Sequence, residues 1–325
     1  MDATAKREII NTGMSKKEKR KRNFSRHKAV LLFIIPALIY VFIFSYLPMY
    51  GILVAFQDFI PGDQIIGPNA IWVGFDKFKQ FFSMPNFWEI FLNTFLLCIL
   101  GFIVGFPLPI IVALLLNSLK SQKLKKTIQT IFYAPHFISL VVLVGMLYLF
   151  FGSNGLINNI VKQLGGETRP FFLDSEAFRP LFIFSGNWQD FGWSAIIYLA
   201  ALAGVDPALH EAAKVDGASR FRRIFSVDIP AIAPTIAMLL ILSIGNLMSC
   251  GYEKVLLMQT DGNLATSEII STYVYKVGLL DGDYGLSTAV GLFNSIINVV
   301  LLVIANFASK KLTSHSMWWC LWKRF

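Results

Sequence analysis

The chain has 325 residues, of which 55% are hydrophobic and 15% charged, with 30 Phe and a formal net charge of +9. Soluble domains run nearer about 25% charged, so one water-facing core could not hide this excess, and the same hydrophobicity excludes disorder. Cys98, Cys250 and Cys320 are the only cysteines, two of them in apolar stretches, which excludes a disulfide scaffold.

Residues 1–28 form a basic tail with eight Lys and Arg between Lys16 and Lys28. The tail either touches anionic headgroups or is solvated without a partner. The apolar window behind it is too long for a cleavable signal peptide, and no small-residue cleavage site follows. Charge-free windows then recur at 29–57, 90–119, 127–161, 229–252 and 284–309. A sixth, 181–205, is interrupted only by Asp190. A bilayer core of about 30 Å needs about 20 helical residues, so each window can span it. The sequence predicts an all-α membrane protein with six transmembrane helices, at about 30–56, 91–118, 128–150, 181–203, 231–252 and 285–308.

Between spans one and two, Trp72, Phe75, Phe78 and Phe81 recur every third residue beside Asp76, Lys77, Lys79 and Gln80. This suits a helix at the membrane surface or ordinary packing on the bundle. The short basic link 120–126 makes spans two and three an antiparallel hairpin. Gly152, Gly155, Gly165 and Gly166 mark 152–179 as a loop, and 253–283 reads as another.

Placing both termini in the cytoplasm puts ten Lys and Arg in the N-terminal tail. Four more fall in each of 120–126, 214–223 and the C-terminal tail, leaving seven of 29 outside. The positive-inside bias favours that orientation. The basic residues flank apolar spans, and no zinc-ligand, RNP or helix-turn-helix pattern accompanies them, so nucleic acid is not the expected partner.

The segment 205–230 carries the most information. Asp206 before Pro207 predicts an N-cap and first helical residue, and Gly217 predicts a left-handed helix stop. Ala-Ser-Arg-Phe-Arg-Arg-Ile-Phe then reads as a second short amphipathic helix, with Pro230 and Pro234 resetting the chain into span five. Small Ala212 and Ala213 allow close approach, and such a knob suits docking into a groove.

Glu211-Ala212-Ala213, three residues, Gly217, nine residues and Val227-Asp228-Ile229-Pro230 resembles the EAA signature of permease subunits of binding-protein-dependent ABC importers. The family pattern ends in Ile-x-Leu-Pro, a conservative departure. Glu-Ala-Ala-Lys-Val-Asp-Gly-Ala-Ser is similar to the carbohydrate-uptake branch. Trp72-Val73-Gly74-Phe75, Phe87-Trp88, Asn93-Thr94, Gly155-Leu156-Ile157-Asn158 and Leu164-Gly165 extend the likeness over nearly the whole chain. Pro36 to Tyr40, Pro48 to Gly51 and Tyr133 to Ser139 resemble the subgroup associated with aldouronate and alginate oligosaccharides. The Trp-rich end, 318–322, has no counterpart.

The resemblance implies a type I ABC importer permease fold and an oligosaccharide substrate, including uronic-acid types such as alginate. It implies a bacterial cytoplasmic (inner) membrane location and a six-helix permease domain at 29–309 between cytoplasmic tails 1–28 and 310–325. Partners implied are a second, homologous permease subunit (a heterodimer), two ATP-binding subunits, a periplasmic or lipid-anchored solute-binding protein and membrane lipid. The chain has no Gly-x-x-x-x-Gly-Lys-Ser/Thr phosphate loop, so no cofactor is expected in it. ATP and Mg belong to the partner subunits, and the chain is not itself an enzyme.

Glu211, Ala212, Ala213, Asp216, Gly217, Arg220 and Pro230 are the coupling residues so implied. Glu211 either meets a basic ATPase residue or is solvated, and Arg220, Arg222 and Arg223 either grip the ATPase or lipid phosphates or only set topology. Asp190, near the outer end of span four beside Trp188 and Gln189, either contacts substrate or reaches interfacial water. Asn93, Asn246, Asn294 and Asn298 lie in spans, where interhelical hydrogen bonding is the default and substrate contact the alternative. His136 has no second His or Cys at ligand spacing, so no metal site is expected and a packing hydrogen bond is its use. The rival function is an ion-coupled secondary transporter of a small solute, which needs more intramembrane carboxylates and often internal repeats.

Overall fold

The computed structural model describes residues 28–313, and the basic N-terminal tail and Trp-rich C-terminal end discussed above lie outside them. The chain divides into two units at Leu53 and Val54. In the first unit, α1 (Lys28–Val41) passes into a π turn at Phe42–Tyr46 and a 3-10 stretch at Leu47–Phe56 that crosses the boundary. Residues 32–50 of the apolar run Leu32–Phe56 are exposed throughout, as suits a helix whose solvent is lipid or a partner chain.

The second unit is a helical bundle. Its first elements are α2 (Asp76–Phe82), α3 (Phe87–Gly105), α4 (Pro107–Ser118), α5 (Gln122–Tyr133), α6 (Leu140–Phe151) and α7 (Leu156–Gln163). Then come α8 (Ser175–Ala203), α9 (Pro207–Val215), α10 (Arg220–Arg223), α11 (Ile229–Gly245), α12 (Tyr252–Met258), α13 (Leu264–Ser267), α14 (Ile270–Tyr275) and α15 (Tyr284–Thr313). Among the described residues five helical runs are long and apolar enough to cross a membrane, or six when α8 and α9 are joined across a 74° bend.

α8 is the central element, packed against α3, α4, α5 and α11, while α11 packs on α15. Apolar side chains fill three clusters: one around Leu97, Phe178 and Met258, a second around Phe81, Ile90 and Ile270, and a third around Val112, Ala195 and Ile232. Gly192 lets α5 and α8 touch backbone to backbone, because a Cβ there would overlap the Phe132 carbonyl. Phe81 is buried and Phe78 half-buried, whereas Trp72 and Phe75, which precede α2, are more than half exposed.

Four sequence expectations change. The third span, expected at 128–150, is broken: a 3-10 turn at Ala134–Phe137 follows α5, where Pro135 supplies no N–H. Ser139 is extended and restarts α6, its side chain accepting from Val142 N. Second, the basic helix is not set apart from span five: α10 continues through a π turn at Ile224–Asp228 into α11 as one run, Arg220–Gly245, with Pro230 in the first turn of α11 just after the π turn. Third, span five stops at Gly245 instead of 252. Asn298 Oδ1 accepts Met248 N at 3.0 Å, and Asn298 Nδ2 donates to Ser249 Oγ at 3.2 Å. Asn294 Nδ2 donates to Met248 O at 3.4 Å, so α15 supplies the polar partners that a helix would otherwise provide. Cys250 in this stretch is disulfide-linked to Cys98 of α3.

The fourth change concerns 253–283, which is not a loop. Val255, Met258, Ile269 and Ile270 are at most 1% exposed, and Asn263, wholly buried, donates to Phe172 O and Met258 O. Nearby, Lys77 bridges Asp58 (2.9 Å) and Asp283 (3.1 Å), tying α2 to the start of α15. Burial lowers the Lys77 ammonium's pKa, but the two carboxylates outweigh it and leave the pKa raised.

Candidate functional site

The segment after α8 is built from local rules. Asp206 caps α9, its carboxylate accepting Ala208 N at 2.9 Å, and Pro207 stands at the first position. The helix ends in a double closure: Gly217 N donates to Lys214 O (3.1 Å) and Ala218 N to Ala213 O (2.9 Å). That pair of bonds requires a left-handed residue, and Gly217 supplies it at φ 73°. Ser219 then caps α10 through Arg222 N.

One face of α9 turns inward through His210 and Ala213, which are half-buried. Leu209 (52% exposed), Glu211, Ala212 and Val215 (88%) point outward. Asp216 is the exposed C-cap residue, and Arg220 opens α10. Behind α9 lies a cavity of about 430 Å³, whose lining includes Asn117, Lys120, Lys214, Arg220, Arg223 and Asp228. His210 Nε2 stands 3.3 Å from the Oδ1 of buried Asp228, near enough for an ion pair although that oxygen accepts no hydrogen bond.

Within the bundle the predicted residues separate. Because Asp174 caps α8 through Glu176 N, the helix begins at Ser175, before the expected 181, and runs 29 residues. At about 1.5 Å per residue it is longer than the apolar bilayer, and Asp190 stands near the middle of the helix. Asp190 Oδ1 lies 2.9 Å from His136 Nδ1, and His136 stacks on Trp193 with ring centroids 4.6 Å apart. Gln189 donates to Ile138 O at 2.7 Å, closing the non-helical step before α6, while Trp188 is 37% exposed beside it. The Asp190 side chain is 61% exposed.

Asn93 is buried between helices. Its amide donates to Ala265 O and accepts from Arg179, joining α3, α13 and α8 in a buried position. Asn246 is exposed just beyond the end of α11. Asn294 lines a cavity of about 380 Å³ with Tyr252, Ser271, Tyr275 and Tyr284, and its Oδ1 is buried without a partner. Aromatic rings beside hydroxyl and amide groups are the chemistry that holds a sugar ring.

Sequence reasoning missed the tyrosines, which it placed in or beside a supposed loop. It also missed Lys254, which is 6% exposed, donates to Phe182 O at 2.8 Å and lies over the Phe182 ring. Gly186 leaves room for that ammonium, since a Cβ there would stand 3.0 Å from it. Lys254 is the first cation after span five, a signal that positive-inside counting spent on topology.

Residues 105–314 match the family described as binding-protein-dependent transport system inner membrane component. The chain belongs to that family. The permease is 43% identical over 294 residues to protein LplB of Bacillus subtilis, covering 90% of this chain and 92% of that one. It is 42% identical over 313 residues to the polygalacturonan/rhamnogalacturonan transport system permease YteP of the same organism, covering 95% and 97%. Among solved structures it superimposes with a TM-score of 0.82 on a chain of a bacterial ABC transporter that imports the acidic polysaccharide alginate. Identity there is 36%, with 91% of the permease and 99% of the other chain covered. A second structure of a bacterial alginate ABC transporter, in complex with a pentasaccharide-bound periplasmic protein, matches at 35% identity with the same TM-score. The permease is therefore a transport subunit of the inner membrane, not an enzyme, and works with a solute-binding protein. The ion-coupled alternative falls with that membership.

Proposed function

We propose that this permease is one half of the membrane path of an ATP-driven importer for oligosaccharides of the uronic-acid type. The observation that carries the substrate class is that the named substrates of two relatives spanning nearly the whole chain, polygalacturonan and alginate, are both acidic polysaccharides. In this reading a different, homologous permease supplies the other half, and Asp190 and the Tyr252–Tyr275–Asn294 cavity face the path between them. Both termini and α9 lie in the cytoplasm, in keeping with the basic residues around α9. α9 is the coupling element: Leu209 and Val215 offer an apolar contact to one of two ATP-binding subunits, with Glu211 beside them. Those subunits hold ATP and Mg.

The test is reconstitution of the permease with the partner permease, ATP-binding subunits and solute-binding protein in liposomes. ATP-dependent uptake of labelled oligogalacturonide or oligoalginate is the expected result. Uptake that needs no ATP-binding subunit, or full activity from a homodimer of this chain, refutes the reading.

A further inference from the structure

Residues 216–219 are the non-helical joint between α9 and the helical run Arg220–Gly245, and they hold Gly217 in a left-handed turn. A push on the outward face of α9 would be absorbed in that turn unless a second connection bypassed it. The His210–Asp228 contact is such a connection, running from the inner face of α9 to the foot of α11 across 3.3 Å.

Asp228 is 5% exposed, and a buried carboxylate is costly without a counter-charge. Its neighbours are all basic: His210 on α9 and Arg223 on α10, with Lys120, Lys214 and Arg220 around the cavity behind them. Glu211 is the other carboxylate lining that cavity. Arg223 Nε is itself buried without a hydrogen bond, and Asp228 Oδ1 has none either. A small inward shift of α9 would bring His210 into hydrogen-bonding register with Asp228, whereas a buried apolar contact would merely slide.

We propose that His210 and Asp228 form a strut that passes displacement of α9 to α11, making His210 a positioning residue for coupling and not for docking. The inference rests on α9 being the coupling element and deepens that reading.

The test uses the complete importer in liposomes, with His210→Ala, His210→Gln, His210→Lys and Glu211→Lys, reading ATP-binding-subunit co-purification, ATP hydrolysis and uptake per ATP. His210→Ala and His210→Gln should keep co-purification and hydrolysis while uptake per ATP falls about fivefold or more, the scale of a site-to-site coupling. His210→Lys, which sets an ammonium against Asp228, should recover most of that loss. The double variant His210→Ala/Asp228→Asn should be no worse than His210→Ala, because partners in one contact are not additive. Unchanged uptake per ATP in both neutral variants, or a His210→Lys as poor as His210→Ala, overturns the strut. Lost co-purification in His210→Gln also overturns it, since His210 would then be a docking residue. Glu211→Lys separates the two readings: if it leaves co-purification and uptake at wild-type levels, α9 is not the coupling element. If it impairs them while the His210 variants do not, only the strut fails.

Discussion

Gly217 is where backbone geometry and function meet most directly, so substitution there is the sharpest prediction. Its φ of 73° lies in the left-handed region, and a Cβ built on it meets nothing within 4 Å. The penalty for a side chain is therefore conformational, with no steric clash to repack. For an L-residue that penalty is about 1–2 kcal/mol, or about tenfold in the population of the closed helix end. A β-branched residue is worse, and Asn is tolerated because its short polar side chain bonds locally. Two hydrogen bonds depend on the turn, Gly217 N to Lys214 O and Ala218 N to Ala213 O, so α9 frays over its last turn when they open. The expected order of damage is Asn, then Ala, then Val, in uptake and in ATP-binding-subunit co-purification alike. Amide exchange across 213–218 should rise in that order, while membrane insertion and solute-binding-protein docking stay normal. Wild-type uptake in Gly217→Val would refute the coupling role of α9. A Gly217→Asn as damaging as Gly217→Val would refute the conformational argument.

Asp190→Asn should lower uptake more than expression, since it removes the charge that pairs with His136 near the middle of α8; transport and hydrolysis both at wild-type level would make Asp190 a bystander. Asn298→Leu should destabilise the permease by about 1–3 kcal/mol by orphaning Met248 N, read as a lower midpoint of thermal unfolding in detergent. Gly192→Ala should cut the yield of folded protein sharply, because its methyl overlaps the Phe132 carbonyl, and normal yield would mean that α5 and α8 are not in backbone contact. Arg169 holds the Asp174 carboxyl below its usual pKa by hydrogen bond and charge, with Glu176 N adding to it. That contribution is present above the unfolded carboxylate pKa and disappears as pH falls through the lowered folded value. Arg169→Ala should accordingly be less stable than the wild-type protein at neutral pH, with the difference shrinking in an acid titration and vanishing as pH falls through the lowered Asp174 pKa.

What the sequence revealed was whatever short-range chemistry encodes. Charge-free windows mark spans because a bilayer charges heavily for any ion in them. The ends of α9 were legible because Asp206, Pro207 and Gly217 each act on the adjacent backbone. The stretch 246–283 was not legible, because its partners lie elsewhere in the chain. Asn298 and Asn294 of α15 hold the broken end of span five, and Asn263 is anchored to Phe172, 91 positions earlier. The start of α8 was misplaced for a related reason. Glu176 and Arg179 look like loop charges, yet they belong to α8, where Arg179 is held by Asn93 of α3. The His210–Asp228 contact joins residues 18 positions apart across a turn whose geometry no local pattern gives.

The arrangement around α9 also bears on how one small helix could work on a path about half a membrane away. Residues 204–206 alone separate α9 from α8, and α8 runs unbroken past Asp190. On the other side α10, the π turn and α11 form one helical run from Arg220 to Gly245, whose far end is held by Asn294 and Asn298. Packed helices are stiff along their axes and slide or tilt as units, so a displacement of α9 cannot remain local. It must tilt α8, shift α11, or be lost in the turn at Gly217. The residues with polar groups to spare lie on α8 and α15: Asp190 on α8, and Asn294 on α15 near the end of α11. Movement entering at Glu211 would pass to α8 across residues 204–206 and to α11 across the turn at Gly217, which is why the joints next to α9 are the places where coupling can be broken without touching either residue.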